Sequence, residues 1–364
     1  MQQLRPEKEY AAVIGGVNID IGGKPFQPLI PRDSNPGRVT ASLGGVARNI
    51  AHNLSLLGIP VRFLTAFGDD VHALQIEASC AMLGIDIQDA LKIPGESSST
   101  YLFLNNERGD MELAISDMQI CERIDAAYLA EKQTILDEAK LIVADTNIPE
   151  EALLYLAEHA KVPLFVDPVS VTKSKKLSRI LGRIHTLKPN LVEAEALGSM
   201  SLRNPGTGGF SLAQEAAFGG TKPQETGIFR EDRTAGHPGS APDIRIRDKE
   251  SCTNAAALLL GTGLTRAFIS LGSGGVFAAE RENAVYCPRI PASIRNTTGA
   301  GDAFMAALVY AYFHDMSLKE TALFASTAAA MTIESIETVN PGLSPNAVFA
   351  RMRGQDAKRL MDAP

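Results

Sequence analysis

The chain has 364 residues, which is enough for one large α/β domain with an appendage and a substantial core. Its net charge of -7, from 35 basic and 42 acidic residues without a long basic run, argues against nucleic acid or a membrane surface as partner. The 4 Cys and 6 His are scattered without a Cys-x-x-Cys pair, which argues against a zinc site or a disulfide framework. No apolar run has the length and position of a membrane span or signal segment, so we expect a cytoplasmic protein.

An N-terminal strand over 11–14 is followed by two short polar side chains, Asn18 and Asp20, in an alternating stretch. Alternation places both on one face of a strand, where an amide and a carboxylate can hold adjacent hydroxyls of a ligand. A solvated strand edge explains the same pattern equally well.

A pair of glycines, Gly44 and Gly45, precedes a predicted helix that runs into 50–57 and closes at Gly58, and Asn49 lies one or two turns into it. Paired glycines let a ligand approach the backbone closely, and Asn49 could reach that ligand from the helix. A tight loop without function is the simpler alternative.

Two segments, about 16–41 and 97–118, are predicted to form hairpins beside the main α/β pattern. They carry the polar residues Asp33, Thr100 and Asp117. A small sheet bearing such residues could cover a substrate as a lid, although an ordinary surface excursion fits as well.

The main pattern continues with three apolar strands that end in Asp145, Asp167 and Asn190. Strands that are apolar throughout are typical of a parallel sheet covered on both faces, where ligands bind beyond the carboxyl ends. These three polar residues are therefore predicted to face one crevice.

Asn190 also begins a helix, with Glu193 at the capping-box position and Lys188 just before the turn. Capping explains Glu193 completely. A carboxylate beside a phosphate site could also hold magnesium through water, so both interpretations stay open.

The segment 203–247 holds 8 Gly and 4 Pro in 45 residues and is predicted to be an irregular insertion. Past it, a helix is predicted over 254–260 and a strand over 267–271, and the glycine-rich turn over 272–275 that follows this strand could admit part of a nucleotide. No Gly-x4-Gly-Lys-Ser/Thr is present, and no Gly-x-Gly-x-x-Gly follows the first strand, which excludes a P-loop protein and a Rossmann dehydrogenase.

The stretch 296–307, Asn-Thr-Thr-Gly-Ala-Gly-Asp-Ala-Phe-Met-Ala-Ala, leads into an apolar segment that predicts a buried helix. Gly299 and Gly301 then lie where the unpaired N–H groups of a helix N-terminus can bind an anion. Asp302 in the first turn is either a carboxylate that complements the helix dipole or a general base beside a phosphate.

Four motifs in this order make the chain resemble the ribokinase-like carbohydrate kinase family. The resemblance extends over about 10–353, apart from the insertion, and residues 354–364 are predicted to form a C-terminal tail. The four motifs are Asn18/Asp20, Gly44-Gly45 with Asn49, Lys188-Pro189-Asn190 with Glu193, and Thr298-Gly299-Ala300-Gly301-Asp302. The resemblance is greatest to the pseudouridine kinase branch. It rests there on 33–37, 116–118, 143–145, 166–170, 185–190 and 340–344.

The resemblance implies a three-layer α/β/α sandwich with a mostly parallel central sheet and a small β-sheet lid. It also implies transfer of the ATP γ-phosphoryl group to a primary hydroxyl of a nucleoside, with Mg²⁺ held near Glu193. By this resemblance, Asp302 is the base, and Gly299, Ala300 and Gly301 form the anion hole. The residues implied to contact the substrate are Asn18, Asp20, Asp33, Gly44, Gly45, Asn49, Thr100 and Asp117. Those implied to contact the nucleotide are Lys188, Asn190, Ser270, Gly272, Gly275 and Thr298.

Asn296 departs from the family pattern, because many members place there an Asp associated with a monovalent cation. Potassium activation is therefore not expected. Expected partners are a small nucleoside and ATP, and a second copy of the chain joined through the lid. Alternatives are a ribokinase or another nucleoside kinase with the same residues, and a kinase-fold sensor that binds nucleoside and signals to a protein. Because a sensor has no need of a base, Asp302 argues against the last.

Overall fold

The computed structural model describes residues 9–203 and 246–361. The strands are β1 (Ala11–Ile14), β2 (Asn18–Pro25), β3 (Gly37–Gly44), β4 (Val61–Leu64), β5 (Ala66–Phe67), β6 (Leu91–Lys92), β7 (Thr100–Asn105), β8 (Met111–Asp117), β9 (Leu141–Asp145), β10 (Leu164–Asp167), β11 (Thr186–Leu187), β12 (Arg266–Ser270), β13 (Val276–Glu280) and β14 (Ala284–Cys287).

The helices on either side of these strands are α1 (Val46–Leu56), α2 (Val71–Leu83), α3 (Ala126–Glu131), α4 (Gln133–Glu138), α5 (Glu150–His159), α6 (Val171–Ser174), α7 (Leu191–Arg203), α8 (Ile246–Gly261), α9 (Ala300–Phe313), α10 (Leu318–Thr332) and α11 (Pro345–Met361). Within the described ranges, none of these helices is both long and apolar enough to cross a membrane.

Eight strands form the central sheet in the order β14-β13-β12-β11-β10-β9-β1-β4. The six from β12 to β4 are mutually parallel, and β13 and β14 run antiparallel at one edge. All four residues of β1 are buried, as expected for a central strand of a covered parallel sheet.

Successive residues of the central strands contribute to two separate hydrophobic cores. Val13 and Val143 lie in one core with α1 and α9, whereas Ile14 and Ile142 lie in the other with α5. Because side chains alternate across a sheet, these two cores are its two faces. The molecule is thus a three-layer α/β/α sandwich, which confirms the predicted fold class.

A second, smaller sheet stands beside the first, with the strand order β3-β2-β7-β8. Its strand β2 pairs antiparallel with β3 and parallel with β7, so that Asn18 lies opposite Gly44 and Ile19 opposite Thr100. We call these four strands the small sheet. Its first residues follow β1 directly and therefore lie next to the carboxyl edge of the central sheet.

One predicted helix start is wrong. The sequence predicted a helix from Asn254, but α8 begins at Ile246. The charged residues at 248–250 interrupt the apolar pattern on which the prediction depended. Apart from its first and last residues, which end α7 and begin α8, the predicted insertion over 203–247 lies outside the described residues.

Candidate active site

The site centres on the N-terminus of α9, which Gly299 caps in a left-handed conformation with φ of 83°. A Cβ atom at Gly299 would lie 1.9 Å from the carbonyl oxygen of Thr338. A larger residue would clash there and would also adopt an unfavourable φ. Glycine is therefore required for this turn. The first N–H groups of α9 lie at the carboxyl edge of the central sheet.

Asp302 points into this region and is only 9% exposed. Its Oδ2 accepts a hydrogen bond of 2.9 Å from Asn49 Nδ2, which belongs to the first turn of α1. Burial, followed by the charge of Asp167, raises the pKa of Asp302 to about 7, against the lowering effects of Asn49 and Lys188. Asp302 is the acidic residue in the first turn of α9 and so complements the helix dipole, and its hydrogen bond with Asn49 is an additional contact with a different helix.

Lys188 brings a positive charge to the same helix terminus. Its Nζ lies 2.9 Å from Asp167 Oδ2 and 2.8 Å from the position that a Cβ atom at Gly301 would occupy. Burial by itself would lower the pKa of Lys188, but Asp167, Asp302 and Glu193 raise it. The ammonium group is therefore charged and lies against the first turn of α9.

The predicted substrate contacts of the small sheet come together beside α1. Asn18 Nδ2 donates a hydrogen bond of 2.6 Å to Asp20 Oδ1, and the other oxygen of Asp20 fills the space where Gly44 would carry a Cβ, 2.1 Å away. Gly45, with φ of 102°, then begins α1 and leads to Asn49. These residues thus form one continuous surface that ends at Asp302.

Thr100 and Asp117 pair with each other across β7 and β8, one strand away from Asn18. Asp33 lies elsewhere: it is exposed in the loop beyond the Pro25–Gly37 end of β2 and β3, and its Oδ1 accepts from the N–H of Ser34. Because Thr100 pairs with Ile19, Thr100 and Asp117 lie on the opposite face of the small sheet from Asn18 and Asp20, and Asp33 lies at the far end of that sheet.

Asp145 does not face the crevice that the sequence predicted, because it is completely buried. Its carboxylate accepts the N–H groups of Gly16, Ala47 and Asn147 at 3.2, 3.0 and 2.9 Å. This residue joins the end of β1 to the start of α1. Its role is to hold the glycine turns in place.

The predicted nucleotide contacts lie at the ends of neighbouring strands. Asn190, which follows β11, forms an isolated bridge with Ser270, the last residue of β12. The turn after β12 contains Gly272 and Gly275, both with positive φ. A Cβ at Gly275 would lie 2.2 Å from the carbonyl oxygen of Cys287, so this turn also requires glycine.

Thr298 is exposed just before α9, and its N–H donates to Asn296 Oδ1. The Asn296 side-chain amide in turn donates to the carbonyl oxygen of Ile336, at 3.1 Å. This side chain therefore ties the turn before α9 to the loop that follows α10.

Glu193 and Asn190 form the predicted capping box, with reciprocal hydrogen bonds of 2.9 Å. The bond uses only Oε2 of Glu193, so Oε1 is available to a water or an ion. Burial, followed by the charge of Asp167, raises the pKa of Glu193, which a nearby cation would counteract. In the part of the chain that the structure describes, no group of three or more His, Cys, Asp or Glu side chains could hold a metal ion by itself.

The predicted site did not include Asn147, Lys173 or Arg48. Lys173 Nζ donates to Asn147 Oδ1 at 2.5 Å, and Asn147 Nδ2 lies 3.5 Å from the Cβ position of Gly16. Arg48 donates to Asn49 Oδ1 at 3.3 Å. Their positions in the sequence could have identified two of them, because Asn147 follows a predicted strand and Arg48 directly precedes the predicted contact Asn49.

Comparisons with known proteins agree with this geometry. The model of the pfkB family of carbohydrate kinases matches residues 8–213 and 232–345. Pseudouridine kinase of Escherichia coli is 36% identical over 93% of this chain and 95% of its own length, and an uncharacterised E. coli sugar kinase is 31% identical over 93% and 82%. The structure of Arabidopsis thaliana ribokinase with ribose and ATP superposes with a TM-score of 0.73 at 19% identity, covering 95% of this chain and 99% of that one. The chain therefore belongs to the pfkB family of carbohydrate kinases and is a phosphotransferase with a hydroxyl acceptor.

Proposed function

We propose that the chain transfers the γ-phosphoryl group of ATP to the 5'-hydroxyl of pseudouridine. The observation that carries the reaction is the buried Asp302, hydrogen-bonded to Asn49 and placed at a helix terminus beside Lys188. The similarity to E. coli pseudouridine kinase supports pseudouridine as the acceptor.

Asp302 is the general base in this proposal. A pKa of about 7 lets the carboxylate take a proton from a hydroxyl near neutral pH, as the acceptor oxygen attacks phosphorus. The N–H groups at Gly299, Ala300 and Gly301 and the Lys188 ammonium are donors for the transferred phosphoryl oxygens. Positioning and charge neutralisation of this kind supply most of the catalysis in phosphoryl transfer.

Magnesium fits the same arrangement. Asp167, Asp302 and Glu193 surround one ammonium group, so the region carries excess negative charge that a divalent cation would offset. Glu193 would hold Mg²⁺ through a water on Oε1. When bound with the nucleotide, the ion neutralises phosphate charge.

The remaining predicted residues divide between two ligands. Asn18, Asp20, Gly44, Gly45 and Asn49 are assigned to the ribose hydroxyls. Thr100 and Asp117 on the other face of the small sheet, and Asp33 at its far end, are not supported as contacts to the same substrate by this arrangement. The nucleotide is assigned to Asn190, Ser270, Gly272, Gly275 and Thr298.

Recognition of the base is assigned to the region beside Gly16. Lys173 donates a hydrogen bond to the side-chain oxygen of Asn147. The NH₂ group of Asn147 therefore points toward Gly16. This donor suits a carbonyl oxygen of a pyrimidine. Pseudouridine has an additional ring N–H that uridine lacks, and a buried partner for such a group discriminates by about 1 to 3 kcal/mol.

A substrate panel tests the acceptor. With ATP and Mg²⁺, we expect kcat/KM for pseudouridine to exceed that for uridine by about 5- to 150-fold, with adenosine and ribose lower still. Equal values for pseudouridine and uridine would refute the acceptor and leave the kinase family intact. Asn147→Ala should lower kcat/KM for pseudouridine and for uridine alike while leaving KM for ATP unchanged, because both bases carry the carbonyl oxygen that this NH₂ group would bind.

The second copy of the chain is assigned to the face of the small sheet that also carries Thr100 and Asp117. Large apolar side chains stand exposed on this face: Val39, Leu102, Leu104, Leu113 and Ile115. A two-fold dimer would bury them against each other. Sedimentation of the wild type and of Leu113→Lys decides this, and a wild-type monomer would refute it.

We also propose that potassium is not required. The Asn296 amide donates to the carbonyl oxygen of Ile336, and this side chain carries no negative charge that would attract a cation. Turnover in sodium-only and potassium-only buffers should agree within about two-fold, and a large potassium activation would contradict the proposal.

A further inference from the structure

Arg48 is a buried cation beside the site for which the proposed reaction has no use. Its side chain is 8% exposed. Nη2 donates to Ser79 Oγ on α2 at 3.1 Å, and Nη1 donates to the carbonyl oxygen of Leu43 and to Asn49 Oδ1, both at 3.3 Å. No carboxylate in the described part of the chain forms an ion pair with it. The charge of Asp20 on β2 favours the charged form of Arg48 from beyond ion-pair distance, but burial without a direct partner is still costly, so packing alone would be better served by an apolar side chain.

The contact with Asn49 determines which way its amide points. A guanidinium group has only donors, so the Asn49 atom that faces it must be the carbonyl oxygen. The NH₂ group then faces the opposite side, where it donates to Asp302 Oδ2 at 2.9 Å. If the amide of Asn49 were rotated by 180°, its NH₂ group would face the guanidinium of Arg48 and its oxygen would face the carboxylate of Asp302. Both contacts would be repulsive.

We infer that Arg48 is a positioning residue, which fixes the amide of Asn49 so that its NH₂ group is always presented to Asp302. The inference rests on the proposed role of Asp302 as the base. It assigns to Arg48 a function in turnover that its burial between α1 and α2 would not by itself require.

The protonation of Asp302 depends on this contact. Asp302 is faced by Asp167 and Asp145, which favour its protonated form, and by Lys188 and the Asn49 amide, which favour the carboxylate. Without the correctly oriented amide, one of the two stabilising groups is lost. The carboxylate then forms only at higher pH.

Arg48 has its own charged and titratable neighbours. Asp20 lies on β2, Cys80 on α2 and His52 on α1 itself. None of them contacts Asp302 directly. A change at Arg48 therefore reaches the base through Asn49.

The experiment compares wild type with Arg48→Met, using the nucleoside that turns over best. We expect kcat to fall about 10- to 100-fold, the size expected for losing a hydrogen bond to a charged group, with KM for ATP unchanged. The acid limb of the kcat/KM profile should move to higher pH by about one unit. In an Asn49→Ala background, the same change at Arg48 should alter kcat less than two-fold, because the amide it orients is gone.

Ser79→Ala is the matched control, because it removes the other side-chain contact of the guanidinium. It should lower the melting temperature without moving the pH profile. If Arg48→Met lowers kcat by the same factor in the Asn49→Ala background, or lowers stability without moving the acid limb, the inference is wrong.

A second pair of variants covers the case in which Arg48→Met does not fold. Lys at this position offers donors only, whereas the amide of Gln can face Asn49 with either end. Arg48→Lys should therefore keep kcat within about three-fold and Arg48→Gln should not, and equal kcat values would overturn the inference. Asp302→Asn in the same assay distinguishes a failure of this inference from a failure of the proposed function. Normal turnover in the Asp302→Asn variant would refute Asp302 as the general base.

Discussion

Replacing Asp302 with Asn changes one buried carboxylate into an amide of the same shape. The new side chain can still accept the hydrogen bond from Asn49, so the local geometry is preserved. It cannot accept the proton of the attacking hydroxyl. We expect kcat to fall by about 10² to 10⁴-fold, with the Kd for nucleoside close to that of wild type.

The same substitution should change how stability depends on pH. Burial raises the pKa of Asp302 from 3.8 to about 7, so between these values the folded protein holds a proton that the unfolded chain releases. The stability contributed by this proton is present below the unfolded pKa and is lost as pH rises toward the folded pKa. Each unit corresponds to about 1.36 kcal/mol, and the neighbouring carboxylates share the shift. We therefore expect about 1 to 3 kcal/mol of pH-dependent destabilisation in wild type that the Asn variant lacks.

The assay measures kcat, nucleoside Kd by calorimetry and urea unfolding at pH 5 and pH 8 on the same preparations. The Asn variant should gain stability over wild type at pH 8 relative to pH 5. Asp110→Asn, the same chemical change in the exposed turn between β7 and β8, is the matched control and should alter none of these quantities. Near-normal turnover in a well-folded Asn variant would refute the base, and parallel stability profiles would refute the buried ionisation.

Three further predictions concern the surroundings of the base. Lys188→Met should raise KM for ATP and leave Asp167 buried without its partner, at a cost of about 3 to 5 kcal/mol in urea unfolding. Gly299→Ala should abolish turnover because of the clash behind it, whereas Gly58→Ala, also at positive φ but with open space around it, should lower only stability, by about 1 kcal/mol, in a paired assay of kcat and melting. Replacing the segment 203–247 with a short Gly/Ser linker should leave kcat within a few-fold of wild type, and loss of folding would show that the segment packs on the core.

Local sequence patterns were sufficient for much of the fold. The apolar strand over 11–14, the helix after Gly301 and the capping box between Asn190 and Glu193 each depend on residues that are close in sequence. Spacing alone therefore predicts them.

The relations between distant elements could not be predicted in this way. Lys188 pairs with Asp167 because β10 and β11 are neighbours in the sheet, and that order is a property of the whole topology. Asp145 resembled a crevice residue because it ends a strand, but backbone N–H groups from three segments surround it. Asp33 lay in a predicted lid segment, and only the register of β2 shows that it sits at the far end.

The hydrogen bond between Asn49 and Asp302 joins residues that are 253 positions apart in the chain. At about 5 to 20 residues per second, a ribosome delivers the second partner roughly 10 to 50 s after the first. During that interval the apolar face of α1, including Ile50 and Leu54, has no α9 to pack against and is a target for chaperones. Activity in a growing chain therefore reports that synthesis has passed α9, so stalled or truncated products would be inactive even where their first half has folded.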